Sequence, residues 1–220
     1  MTGKLLNTLL RQATVRFPAP AMPAIRSALA KLGAPSLTPL YESFNGGYFF
    51  GGALEIFPVG TSHYTEIESW NDAAGWRKDF DQDLDGIVFF AHDLFCFPYG
   101  VRGEAVVRLN HETGEIEPLA ATLTLFLEQL LDECDYYSGQ SLLEEWEEEH
   151  GPLPIGQRLF AKMPFVLGGD WETDNLWASE PLPVLAFRAF CAKHLKGKAD
   201  GTRVSISLPN GKRLRGVLQR

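Results

Sequence analysis

The sequence predicts an α+β fold in which helices pack on a largely antiparallel sheet, with a helix and hairpin elaboration at the C-terminal end. Three observations carry that prediction. Strand-like runs at 54–57, 86–91 and 105–109 are rich in Ile, Val and Phe, and the last is joined to a further short strand through Asn110-His111-Glu112-Thr113-Gly114. Apolar residues return at helical spacing after Thr122, where Leu123, Phe126, Leu127, Leu130 and Leu131 make one face. Near the end, Val204, Ile206 and Leu208 alternate with Arg203, Ser205 and Ser207, and Pro209-Asn210-Gly211 turns the chain into 212–217.

In chain order, Leu5, Leu6, Leu9 and Leu10 give the opening segment a helical pattern that extends to Val15. Arg16-Phe17-Pro18-Ala19-Pro20 breaks it, and a second helix is expected over 24–32 with Gly33 as its stop. Thr38-Pro39 reads as an N-cap followed by proline at the first helical position, starting a short helix to Phe44. Asn45-Gly46-Gly47 supplies the positive φ that this helix end needs before a strand begins. Ser141 with Glu144 is a capping-box arrangement. Gly168-Gly169 is expected to end a strand, and Pro181 and Pro183 to precede a helix over 184–194.

With 220 residues, 45% hydrophobic and 12% aromatic, the chain can bury a core without metal or disulfide support. Cys96, Cys134 and Cys191 are odd in number and widely spaced, which argues against a disulfide framework or zinc ribbon and fits a reducing cytoplasm. No signal peptide is read, and no run approaches the roughly 20 apolar residues of a membrane-spanning helix.

The net charge of −8 is unevenly distributed. Residues 1–31 carry five basic and no acidic side chains, 32–187 carry 27 acidic and six basic, and 188–220 carry nine basic against Asp200 alone. The sharpest run is Asp132, Glu133, Asp135, Glu144, Glu145, Glu147, Glu148 and Glu149, with no Lys or Arg among them. It reads either as a solvated helical face or as a docking surface for a basic partner. Such a surface repels phosphate, so no nucleic-acid ligand is expected.

Motifs of chemistry are sparse. Asp81, Asp83, Asp85 and Gly86 match the first half of a calcium loop, but the twelfth position, where a bidentate carboxylate belongs, is His92, and 87–91 looks like a buried strand. A solvated acidic turn is the plainer reading. The five histidines form no metal-spacing array, and His92 and Asp93, as neighbours on a strand, should point to opposite faces. Cys134 lies between Glu133 and Asp135, a field that disfavours the thiolate. No nucleophile elbow, phosphate loop or dinucleotide fingerprint occurs. No catalytic residue, metal or cofactor is expected. Trp70 and Trp146 are assigned to the core, whereas Trp171 and Trp177 sit in a mixed acidic and aromatic stretch that suits a protein-binding rim.

A set of motifs points to a family. Tyr41-Glu42-Ser43-Phe44-Asn45-Gly46-Gly47-Tyr48-Phe49-Phe50 is followed by Ala53-Leu54-Glu55-Ile56-Phe57-Pro58, Trp70-Asn71, Trp76-Arg77 and Phe89-Phe90-Ala91-His92-Asp93. Trp146, His150-Gly151-Pro152-Leu153-Pro154, Gly156-Gln157-Arg158-Leu159 and Lys162-Met163-Pro164-Phe165-Val166-Leu167-Gly168-Gly169 continue the pattern. Asn175-Leu176, Phe187-Arg188 and Asp200-Gly201-Thr202 complete it. Over roughly residues 38 to 208 the chain resembles the SUKH superfamily of bacterial immunity proteins and fungal cell-wall regulators. The matching lineage follows its Phe-Phe-Ala-x-Asp run with Phe-Gly. Here Leu94-Phe95-Cys96-Phe97-Pro98 stands in that place, and the missing Gly weakens any claim of a tight turn at Cys96 while leaving the surrounding pattern intact.

The resemblance implies one SUKH-like domain over 1–220, with 1–37 a helical segment and 151–220 an elaboration of the same domain. Together with the missing catalytic constellation, the cysteine usage and the concentrated acidity, the resemblance leads to the expectation of a cytoplasmic, non-catalytic protein that binds a cognate toxin, such as a basic nuclease domain, with the acidic run and Trp171 and Trp177 as candidate contacts. The alternatives are a solitary housekeeping adaptor, or a small-ligand or metal-binding enzyme using His92, Asp93 and the Asp81–Asp85 turn.

Overall fold

A computed structural model describes residues 2–80, 84–208 and 212–219. The first half runs α1 (Thr2–Arg11), β1 (Ala13–Arg16), α2 (Met22–Leu32), α3 (Thr38–Ser43), β2 (Gly47–Phe49), β3 (Leu54–Ile56), α4 (Ile67–Trp70), β4 (Ile87–His92) and β5 (Pro98–Arg102). Then come β6 (Ala105–Leu109), β7 (Ile116–Ala120), α5 (Leu123–Asp132), α6 (Cys134–Ser138) and α7 (Gln140–His150). The C-terminal part holds β8 (Arg158–Ala161), β9 (Leu176–Ser179), α8 (Pro181–Leu195), β10 (Arg203–Ser207) and β11 (Arg213–Val217).

Strands β1 to β7 form one sheet in sequence order, every neighbour antiparallel, so the protein is α+β as its patterns predict. Neighbours in the sheet are neighbours in the chain, as in a meander, with α2 and α3 inserted between β1 and β2 and α4 between β3 and β4. Strand β4 is buried along its whole length, because layers cover both its faces. Phe89 meets Trp76 at 5.5 Å on one side, while Phe90 meets Phe126 of α5 at 6.2 Å on the other. Burying each such phenylalanine contributes about 1.5–3 kcal/mol. Trp70 and Trp146 belong to this core, at 2% and 7% exposure.

Gly46 and Gly47 have φ of 78° and 145°, and a Cβ on either would run into the backbone carbonyl of Ile56 or Val15. Asn45 braces the same corner, donating to the Pro18 and Val59 carbonyls and accepting from Val59 N–H.

Several local expectations are corrected. The opening helix stops at Arg11, and Val15 lies in β1, an edge strand whose sequence Ala-Thr-Val-Arg suits a pleat. Thr38 is the first residue of α3 rather than its cap, since a 3-10 turn at Pro35–Leu37 runs directly into it. Helix α7 begins at Gln140 behind a left-handed Gly139, so no Ser141–Glu144 capping box forms; Asp135 accepts the Ser141 N–H instead. Pro181 and Pro183 lie inside the first turn of α8, where a missing N–H costs nothing. Gly168-Gly169 ends a 3-10 turn at Phe165–Leu167, not a strand. A tight turn does exist at Cys96: its N–H bonds the Asp93 carbonyl at 3.1 Å, and φ is 63° without a glycine. The turn proposed at 209–211 lies outside the described residues, although β10 and β11 pair as expected on either side of it.

The C-terminal part has its own small core of Val166, Leu167, Cys191, Leu195, Val204, Ile206 and Leu218. Helix α8 joins it to the main core, where Val184, Leu185 and Ala189 are buried.

Candidate functional site

Between the link from β4 to β5, the end of β6, helices α6 and α7, and the loop after β8 lies an open cleft of about 830 Å³. Its aromatic wall is built by the Pro164-to-Gly169 segment. The 3-10 turn at Phe165–Leu167 is stopped by Gly168 at φ 91°, and Gly169 passes so close to the Met163 carbonyl that no side chain fits. This turn stacks Phe165 on Trp171, with ring centroids 3.5 Å apart and planes at 6°, and both rings stand edge-on to Phe95. Trp171 remains 54% exposed, so one indole face stays open.

Opposite, the Arg108 guanidinium lies over Phe97 and Tyr136 at 5.9 and 5.6 Å, and its Nε and Nη2 both donate to Glu117 Oε2. Phe97 in turn stacks on the buried His111 at 4.4 Å. Burial, with the nearby Arg188 charge, pushes His111 down to about 3, so the ring is neutral.

Carboxylates dominate the cleft's charge. Asp93, Glu112, Glu117, Asp135, Glu145 and Glu172 line it, against Arg108 as the one basic lining residue among those described. Asp93 is 3% exposed, and burial pushes its carboxyl up to about 7 although Oδ1 accepts the N–H groups of Phe95 and Phe97. Burial also raises Glu112, against the pull of Arg188; its Oε2 accepts the Val166 N–H, while Oε1 has no hydrogen-bond partner and lies 3.5 Å from Arg188 Nη2.

The acidic run is divided by the fold. It spans the end of α5, all of α6 and most of α7, and only Asp135 and Glu145 reach the cleft. Glu147 lines a separate groove near Gly52 and Ile155, where its Oε1 accepts the Leu153 N–H. Glu149 accepts from Thr173, and Glu144 from Gln140. Asp132, Glu133 and Glu148 are exposed outside both. Trp171 lines the cleft, whereas Trp177 on β9 is 42% exposed and does not line it. Arg108, Tyr136, Phe165 and Glu172 were not singled out from the sequence as site residues. Tyr136 was signalled by its place inside the acidic run, and Phe165 by the glycine pair behind it; Arg108 reads as an ordinary strand residue.

Behind the sheet lies a buried polar cluster that the motifs did not disclose. Glu55, His92 and Arg158 are each at most 1% exposed. Arg158 donates to His92 Nδ1 at 3.0 Å, to the Gly52 carbonyl at 2.9 Å and to Glu55 Oε2 at 2.8 Å. Tyr64 and Thr65 hydroxyls also donate to Glu55. Burial alone would raise the Glu55 carboxyl, but the surrounding positive charge and hydrogen bonds outweigh it and leave it below the usual range. Burial and Arg158 push His92 down to about 3, so Arg158 is the counter-charge. His92 is thus committed to this cluster while Asp93 faces the cleft, and the two do not form a dyad.

Asp81 and Asp83 of the half calcium loop lie outside the described residues. Among the described residues no group of three or more His, Cys, Asp or Glu could hold a metal ion, and no helix is long and apolar enough to cross a membrane. Cys96, Cys134 and Cys191 are free thiols.

Fold and site together define an α+β meander with a carboxylate-lined aromatic cleft. The chain is similar to the crystal structure of Atu4351 from Agrobacterium tumefaciens, at 12% identity over 96% of each chain with a TM-score of 0.58. At that identity the likeness concerns the fold alone. No protein-family model matches the chain, and no curated protein matches it.

Proposed function

We propose that this chain is a non-catalytic, cytoplasmic protein-binding module of SUKH type that neutralises a cognate toxin by covering its functional surface. The observation that supports this most is the meeting, at one open cleft, of Asp135 and Glu145 from the acidic run with the exposed ring of Trp171. Partly exposed aromatics with carboxylates around them are the composition of a protein contact, with the aromatic as anchor and the charges guiding encounter. The SUKH-like motifs supply the particular role. Occlusion asks for complementary contact and no chemistry from this chain.

The test is affinity capture of the tagged protein from its own source at moderate salt, with mass spectrometry of the eluate, followed by co-expression. A stoichiometric polypeptide that arrests growth when expressed alone, and is tolerated when this chain is present, is the expected result. A captured polypeptide whose toxicity is unchanged by co-expression removes the neutralising role, and no stoichiometric partner removes the binding role.

A further inference from the structure

We propose that the cleft receives one arginine side chain of the partner protein, its guanidinium lying on the open face of Trp171 and its N–H groups donating to Glu145 and Glu172. This rests on the protein-binding reading. The cleft's volume of about 830 Å³ is within the range of roughly 300–1,000 Å³ common for ligand pockets, and its open mouth admits a side chain still attached to its backbone.

Three features select a cation. Six lining carboxylates face a single lining arginine, which Glu117 already neutralises. The buried Glu112 has a carboxylate oxygen that lacks a hydrogen bond and whose nearest cation, Arg188 Nη2, stands at 3.5 Å. Aromatic faces, which attract cations through their quadrupole, form the walls. Glu145 and Glu172 are exposed and have no ion pair among the described residues, so their charge is available.

Two features select arginine over lysine. The open surface is the flat face of an indole, on which a planar guanidinium stacks while its edge still donates in plane. The cleft also contains a worked instance of the same arrangement, since Arg108 lies over Phe97 and Tyr136 while two of its nitrogens donate to Glu117. Phe165 behind Trp171 and Phe95 at the edge hold the indole in place before any ligand arrives, which reduces the ordering cost of binding.

The test titrates the blocked tripeptides acetyl-Gly-Arg-Gly-amide, acetyl-Gly-Lys-Gly-amide and acetyl-Gly-Gln-Gly-amide, and spermidine, into the full chain. Binding is followed by backbone amide chemical shifts, which also report folding. The arginine peptide should saturate, shift residues around Trp171, and bind more tightly than the lysine peptide; the glutamine peptide should not saturate. Trp171→Ala should weaken it roughly three- to tenfold, Trp171→Phe less, and Trp177→Ala not at all. Equal response to the glutamine peptide, persistence in Trp171→Ala, or spermidine binding the same residues more tightly than the arginine peptide would overturn the proposal, the last in favour of a free polyamine. The two readings fail separately: partner capture undiminished by Trp171→Ala removes the arginine pocket and leaves protein binding standing, whereas absence of any partner removes both.

Discussion

Arg158 donates its Nε–H to Nδ1 of His92 at 3.0 Å, and that bond fixes the imidazole tautomer. With Nδ1 occupied as acceptor, the ring proton resides on Nε2, 3.5 Å from Glu55 Oε2. Arg158 then closes the cluster on Glu55 itself and on the Gly52 carbonyl, pinning the start of β8 to the turn between β2 and β3. Removing one partner of a buried pair strands the other's charge, at a cost of about 3–5 kcal/mol, while replacing both with apolar groups can be neutral or better. Arg158→Leu should therefore be severely destabilising, and Arg158→Leu with Glu55→Leu should recover much of the loss. Urea midpoints of the two variants and the parent check this; a double variant no better than the single would show that Arg158 acts by packing rather than by charge.

Asp93 makes stability depend on pH in a predictable direction. Its folded-state carboxyl is raised to about 7 from the ordinary 3.8, so as pH rises the unfolded chain gives up its proton first. Between those values the unfolded state binds fewer protons, stability falls with rising pH by up to about 1.4 kcal/mol per unit, and above the upper value the effect levels off. Asp93→Asn keeps an Oδ1 acceptor for the Phe95 and Phe97 N–H groups without titrating. The parent should lose ground to Asp93→Asn between pH 5 and pH 7.5 in paired urea unfolding, and a constant difference across that range would mean that Asp93 ionises normally.

Gly47 and Gly51 separate two costs that positive φ conceals. Both have positive φ, at 145° and 70°, but a Cβ on Gly51 meets nothing within 4 Å, whereas one on Gly47 collides with the Val15 carbonyl. Gly51→Ala should cost about 1 kcal/mol, the conformational strain alone. Gly47→Ala should cost several times more and separate β1 from β2, visible as lost amide protection at Val15 and a larger fall in Tm. Similar costs for both would mean that β1 shifts to make room.

These positions also show how far the sequence could be read. Asn45-Gly46-Gly47 announced its turn because only glycine suits those φ values, and the alternation of Val204 with Ile206 announced the hairpin through its period of two. Strand β1 was hidden because Leu9 and Leu10 carry helical spacing to within a few residues of Val15, and the switch at Gln12 has no glycine or proline to mark it. Cys96 hid a left-handed turn for the complementary reason, a non-glycine residue held at φ 63° by its surroundings. Part of the acidic run was legible as composition, but its division among α5, α6 and α7 depends on Gly139 redirecting the chain over Phe95 and Leu94. The joining of Arg108, Tyr136 and Trp171 in one cleft depends on tertiary packing that local patterns do not encode.

Charge reversal on α7 tests whether the acidic face guides a partner. Glu144 and Glu148 are exposed outside the cleft, and of these two side chains only that of Glu144 makes a hydrogen bond among the described residues, accepting from Gln140 one turn earlier; Glu145 is kept because it lines the cleft. Glu147 must be left intact because it holds the Leu153 N–H. Replacing the two with Lys changes the local charge by four units without touching the core, so the fold should persist. For a basic partner, electrostatic guidance acts on the association rate, which should fall about 10- to 100-fold at low salt and converge towards the parent as salt rises, while the dissociation rate changes little. Trp171→Ala should do the opposite, quickening dissociation with a nearly unchanged association rate, because an anchor acts after encounter. Stopped-flow association with the captured partner at two ionic strengths separates the two effects. An association rate indifferent to the double reversal at low salt would remove the outer face of α7 from recognition and leave the Trp171 cleft as the contact to pursue.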